Sequence, residues 1–144
     1  MSPRLPKVLV TQKETMYHVT PYENLEKVMK EGLVASEVAT LKSPVPPWLR
    51  KGIYLDRELE EARGWALMLV GPTDEEWEEM MSGKPVVKKM AILEVKVPAG
   101  YRMIPDPDVM DIGPGGRTTS FIVNIPVVPP DKLKLVSVEE TEIG

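Results

Sequence analysis

The chain reads as a single α+β domain over residues 1–144, with a largely antiparallel sheet or split β-sandwich. Three observations lead there. Helix-like periodicity is confined to the residues before Val86, after the first short apolar strands. The second half is a run of β-rich stretches separated by Pro, Gly and Asp. Few parallel crossovers are required, because strands gather late and are not each followed by a helix.

The elements follow in order. Lys7–Gln12 holds the apolar run Val8, Leu9, Val10 and reads as an edge strand or arm. Thr15–Thr20 is a second strand, carrying the only histidine, His18. A helix is expected next: Thr20 as N-cap, Pro21 at the first position and Glu23 completing a capping box. Leu25, Val28, Met29 and Leu33 recur at helical spacing, and Gly32 provides the exit. From Val34 to Lys51 the periodicity fades, and the prolines between Ser43 and Lys51 favour an extended loop. Trp48 reads there as a loop anchor on the core or as one wall of a ligand cleft.

Gly52–Leu55 is a short strand, and Asp56 can cap a helix from Arg57 to Val70 with Leu59, Ala62, Ala66, Leu69 and Val70 inward. Gly71 and Pro72 end it. Thr73 and Glu76 form a second capping box, opening an acidic helix with Trp77, Met80 and Met81. Its glutamates, Glu78 and Glu79 among them, read as a solvated face. Val86–Val97 is a long strand with Ala91, Leu93, Val95 and Val97 on one face and Ile92, Glu94 and Lys96 on the other. Tyr101–Ile104, Ser120–Ile125 and Leu133–Val138 are further strands. Between the first two lies a loop, Pro105–Thr119, rich in Pro, Asp and Gly.

Composition narrows the chemistry. With 144 residues the chain is long enough to bury roughly two-thirds of its unfolded surface in one core. Zero cysteines exclude disulfides and thiolate chemistry, and one histidine excludes an imidazole-based zinc site. Asp106, Asp108 and Asp111 lack the spacing of a calcium loop, so no metal is assigned. A net charge of −4 argues against a broad footprint on duplex nucleic acid, though not against a local basic groove. No stretch has transmembrane length and the N-terminus lacks signal-peptide form, so a cytoplasmic location is expected with no membrane partner. Scarce Asn and Gln resemble a thermophile's composition, the nine methionines aside. Nothing in the sequence sets the oligomeric state.

Common catalytic motifs are absent: there is no nucleophile elbow, no Walker loop and no dinucleotide fingerprint after a strand. What stands out is a series: His18-Val19-Thr20 before a helix closing on Gly32-Leu33, then Gly52-Ile53-Tyr54-Leu55 before a helix with Ala62, Arg63, Gly64 and Trp65, then Ser120-Phe121-Ile122-Val123. In this order they resemble the ADP-ribosyltransferase superfamily, in its diphtheria-toxin-like and poly(ADP-ribose) polymerase-like His-Tyr-Glu branch. The DNA-modifying toxins of that superfamily look at least as close, through Tyr17-His18-Val19-Thr20 and Asn24-Leu25. The resemblance covers most of residues 15–138.

The resemblance implies a split antiparallel β-sandwich with helices after the first and second core strands. It also implies a cleft taking NAD as substrate. His18 would bond the adenosine-side ribose with Thr20 beside it, the Val19 backbone would hold the nicotinamide amide, and Tyr54 would stack on the nicotinamide. Trp65 would form a second aromatic wall. Ala62 departs from the serine some members use for the carboxamide. Ser120 occupies the position of the family glutamate, and a neutral hydroxyl cannot stabilise the positive charge developing on the ribose. Either the acceptor supplies a carboxylate, or another acid does, with Glu94 and Glu58 the nearest by position, or the domain binds without catalysing transfer. Arg117 and the Gly113–Gly116 loop fall where members contact their acceptor.

The expected activity is mono-ADP-ribosyl transfer, a glycosyltransferase reaction, to a protein or nucleic-acid acceptor, with Ser120 and Tyr54 at the reacting end. The alternatives are a non-catalytic NAD or ADP-ribose-binding module and an RNA 2′-phosphotransferase-like enzyme.

Overall fold

The computed structural model describes residues 8–38, 45–68, 73–106 and 119–143. They form an α+β fold in which every paired strand is antiparallel to its neighbour. The strands are β1 (Leu9–Val10), β2 (Glu14–Pro21), β3 (Leu33–Val34), β4 (Ser36–Glu37), β5 (Lys51–Asp56), β6 (Val86–Val97), β7 (Arg102–Pro105), β8 (Ser120–Val123), β9 (Val127–Val128) and β10 (Leu133–Ile143). The helices among the described residues are α1 (Leu25–Glu31), α2 (Leu59–Met68) and α3 (Asp74–Met81), with 3-10 turns at Tyr22–Asn24 and Pro130–Lys132. The main sheet runs β1-β7-β8-β5-β2-β6-β10, with β4 added beside β5, and β3 pairs with β9 separately.

The sheet is built on β6. Its alternation buries Leu93, Val95 and Val97 in the larger core with Met16, Ile53, Leu55, Phe121 and Val123. Leu25, Val28 and Met29 of α1 cover that core. On the opposite face Met90 and Ile92 pack under Ala62 and Ala66 of α2, beside Tyr17 and Val19. The strand is therefore apolar on both faces in its middle, as expected of a strand covered on both sides.

The first helix starts later than its sequence signals predict. Thr20 and Pro21 stay in β2, paired with Ala91 and Met90, and Thr20 is buried. No side chain caps the turn at Pro21 or the helix at Asn24. Strand pairing outcompetes the capping box: Pro21 stays extended, at ψ 138°, opposite Met90, so the turn begins only at Tyr22 and Thr20 lies one residue too early to cap it. Leu33 likewise leaves the helical pattern for β3, opposite Val128. Gly32 does end the helix, at φ 94°.

The second capping box forms as read. The Thr73 hydroxyl accepts from the Glu76 N–H, and the Glu76 carboxylate accepts from the Thr73 N–H. Strand β6 matches its expected bounds, whereas β10 runs five residues beyond Val138, with a bulge between Leu135 and Ser137. Helix α2 begins at Leu59, not Arg57, and its expected end at Leu69–Pro72 lies outside the described residues. So do Gly113–Gly116, Arg117, Asp108 and Asp111. No helix is long and apolar enough to cross a membrane among the described residues.

Candidate functional site

The site grows from one irregularity in the sheet. Strands β2 and β5 meet at a single register position, Tyr17 opposite Asp56. Toward its start β5 pairs instead with β4, Gly52 lying opposite Ser36. The sheet is thus divided into a β1-β7-β8-β5 half and a β2-β6-β10 half joined at a narrow seam. Beyond that one pair, the His18 ring bridges the gap: Nδ1 lies 2.8 Å from the Tyr54 carbonyl oxygen. A carbonyl can only accept, so Nδ1 carries the proton and Nε2 is the acceptor nitrogen of the neutral ring. Burial pushes the imidazole pKa below its ordinary value, opposed by the Tyr54 carbonyl, which favours the charged form.

Cross-strand partners share a face, so the registers order the residues around this seam. Ser120 lies opposite Asp56, Asp56 opposite Tyr17, Tyr17 opposite Glu94, and Glu94 opposite Lys134. Tyr54, two residues before Asp56, shares that face and packs half-buried against the small cluster of Leu49, Ile104 and Ile122. His18 alternates with Tyr17 and so leaves β2 on the opposite face. His18 and Tyr54 therefore meet through imidazole and backbone, with their side chains on opposite faces of the sheet.

On the α2 side a polar network closes the seam. The Trp65 Nε1–H donates to Ser120 Oγ at 2.9 Å, and Ser120 donates to Asp56 Oδ2 at 2.7 Å. Asp56 Oδ1 accepts from Thr119 Oγ1 at 2.7 Å and from the Glu58 N–H at 2.8 Å. Asp56 is 4% exposed and Ser120 8%, so this buried carboxylate is held by protein hydrogen bonds. Helix α2 supplies Trp65, β8 supplies Ser120, and β5 supplies both Tyr54 and Asp56.

The carboxylate beside Ser120 is therefore Asp56, not Glu94 or Glu58. Glu94 stands three strands from Ser120 along the row, which is roughly 14 Å at ordinary strand spacing. Glu58 contributes its backbone N–H while its side chain is exposed. By sequence Asp56 is a helix cap, and it does hold the turn before α2. Its two-residue offset from Tyr54 was the available signal, because that spacing puts both on one face of a strand.

The remaining expected residues divide. Val19 packs under α2 and also borders a groove beside Pro21 and Met90. Thr20 is a buried strand residue. Ala62 is fully buried against β6, which accounts for its small side chain by packing. Trp48 packs on the Leu49, Ile104 and Ile122 cluster with the Arg102 guanidinium 4.5 Å from its ring centre, as a loop anchor would. At the seam's end Arg57 pairs with Glu14 at 2.8 Å and lies over the Phe121 ring at 4.6 Å. The chain matches no family model, no curated protein and no solved structure in the comparisons made.

Proposed function

We propose that this chain is an NAD-dependent mono-ADP-ribosyltransferase acting on a macromolecular acceptor, with the seam between its half-sheets as a split-sandwich substrate cleft. The observation carrying this reading is the bonded series Trp65–Ser120–Asp56 on the same sheet face as Tyr54. It supplies two aromatic side chains for a planar ring and a carboxylate close to the serine that replaces the glutamate of the family resembled. Trp65, Tyr54 and the backbone at Val19 would orient nicotinamide, and His18, whose side chain leaves on the opposite face, would act by holding the Tyr54 backbone carbonyl across the seam. In the transfer, the bond between nicotinamide and ribose breaks with its electron pair leaving on nicotinamide. An acceptor lone pair then bonds the anomeric carbon and the acceptor's proton passes to solvent. The Asp56 charge, reaching the ribose through Ser120, opposes the positive charge that develops on the sugar.

The test is nicotinamide release from NAD together with transfer of labelled ADP-ribose to protein and nucleic-acid acceptors. Both are expected with the wild-type chain and lost in His18→Ala and Tyr54→Ala variants that remain folded at the assay temperature. NAD neither bound nor cleaved overturns the reading. A second reading, a non-catalytic NAD or ADP-ribose-binding module, is favoured by the engagement of both Asp56 oxygens and by the neutral Ser120. Calorimetric binding with no turnover, and turnover gained on Ser120→Glu, would support it.

A further inference from the structure

We infer that the edge of β6 beside the end of β2, unpaired among the described residues, is a binding slot for an extended, basic polypeptide segment that adds to the sheet as a strand. The inference does not rest on the NAD reading. The ladder between β2 and β6 stops at Pro21 opposite Met90, because the chain then turns into Tyr22–Asn24. On the far side β6 remains paired with β10 through Val86–Lys89. Four residues of β6, about 13 Å of strand, thus pair with β10 on one edge and, among the described residues, with no strand on the other. Alternate residues of an antiparallel strand direct both N–H and C=O to the open side, which templates pairing with another chain.

That edge is the floor of an open cavity of about 790 Å³. Tyr22 and Glu23 form one wall, and Thr73, Glu75 and Glu76 at the start of α3 form the other. Val19, Pro21, Val87 and Met90 give the floor an apolar lining, so a strand laid here gains both backbone pairing and side-chain contact.

The charges select the occupant. Lys88 is already bound to Glu76 at 2.6 Å. Lys89 pairs with Glu140 at 3.2 Å and sits 5.6 Å from the Tyr22 ring centre. Glu23 and Glu75 are in no ion pair among the described residues. The slot therefore presents two uncompensated carboxylates beside apolar surface, matched by alternating apolar and Lys or Arg side chains and repelling acidic ones or phosphate.

The experiment uses the full chain labelled with 15N and the blocked peptide acetyl-Lys-Val-Lys-Val-Lys-Val-amide. Binding is expected to shift the amides of Val86–Lys89. It is expected to vanish when alternate peptide nitrogens are methylated, which removes the ladder donors and leaves the charge. The double variant Glu23→Lys with Glu75→Lys, both exposed sites, is expected to weaken binding roughly tenfold at unchanged melting temperature. The inference is overturned by shifts confined to other residues, by equal binding of the methylated or a Glu-Val peptide, or by undiminished binding to the double variant. It is equally overturned if a single-stranded oligonucleotide, and not the peptide, perturbs Val86–Lys89.

Discussion

The His18 ring donates from Nδ1 to the Tyr54 carbonyl at 2.8 Å, across the gap where β2 and β5 have stopped pairing. One side chain thus takes over a backbone partner's role at the joint between two half-sheets. Because burial lowers the folded-state pKa below the ordinary value of 6.5, the unfolded chain takes up this proton more readily than the folded one. Stability is therefore full above that value and declines as pH falls below it toward the lowered folded pKa. Urea melts from pH 8 to 5 are expected to show this decline. His18→Gln should flatten it while lowering stability throughout, and a flat wild-type profile would contradict the assignment. Nitrogen-resolved NMR at neutral pH should find the proton on Nδ1.

Asp56 and Ser120 make a second joint, between β5 and β8. Asp56→Asn keeps the shape but swaps one acceptor oxygen for an NH₂ group that only donates, so the Ser120 or the Thr119 hydroxyl loses Asp56 as its acceptor. A loss of about 1–3 kcal/mol in unfolding free energy is expected, measurable by chemical melts. Under the proposed activity the same variant should lower turnover by roughly 10²–10³ at little cost to NAD affinity. Turnover unchanged in a correctly folded Asp56→Asn protein would remove Asp56 from the reaction but leave the NAD site standing.

Two glycines should respond oppositely to alanine. At Gly32 the backbone has φ 94°, and an added Cβ would sit 2.5 Å from the Val128 carbonyl oxygen. That contact is backbone and cannot rotate away, so Gly32→Ala should cost more than about 1 kcal/mol and loosen the β3–β9 pair. Gly64 lies inside α2 with nothing within 4 Å of an added Cβ. Gly64→Ala should instead stabilise by about 0.5–1 kcal/mol through helix propensity. Melting temperatures of the two variants should straddle that of the wild type.

These contrasts mark what was legible in the sequence. Strand β6 could be bounded from its residues because twelve consecutive positions carry β-forming or alternating character. The Thr73 box could be read because no strand competes for those residues. At Thr20 the same local signal lost to a partner more than seventy positions away, Ala91, which no local pattern reports. Asp56 was visible as a turn-former, but its contact with Ser120 depends on β5 and β8 being neighbours across a 64-residue separation. Tyr54 and Trp65 were legible by type, and their position relative to His18 became readable only once the register fixed the faces.

Helix α3 tests how a helix without a buried residue is held. No residue of it is buried, and Trp77 and Met81 are exposed. Its anchors are the Thr73–Glu76 capping box and the 2.6 Å pair between Glu76 and Lys88 of β6. Thr73→Ala should remove about 1 kcal/mol of helix stability, yet the core lies elsewhere, so global melting should barely move. Amide exchange within Asp74–Met81 should accelerate while β6 and β2 keep their protection. Hydrogen bonding to Lys88, with help from the Thr73 N–H, holds the Glu76 carboxyl below its ordinary value of 4.5. The tether should therefore be complete above that value and lost as pH falls through the lowered pKa, whereas the decline due to His18 sets in from 6.5 downward. Exchange rates in α3 that follow the His18 window would mean that the helix reports on the seam and not on its own anchors.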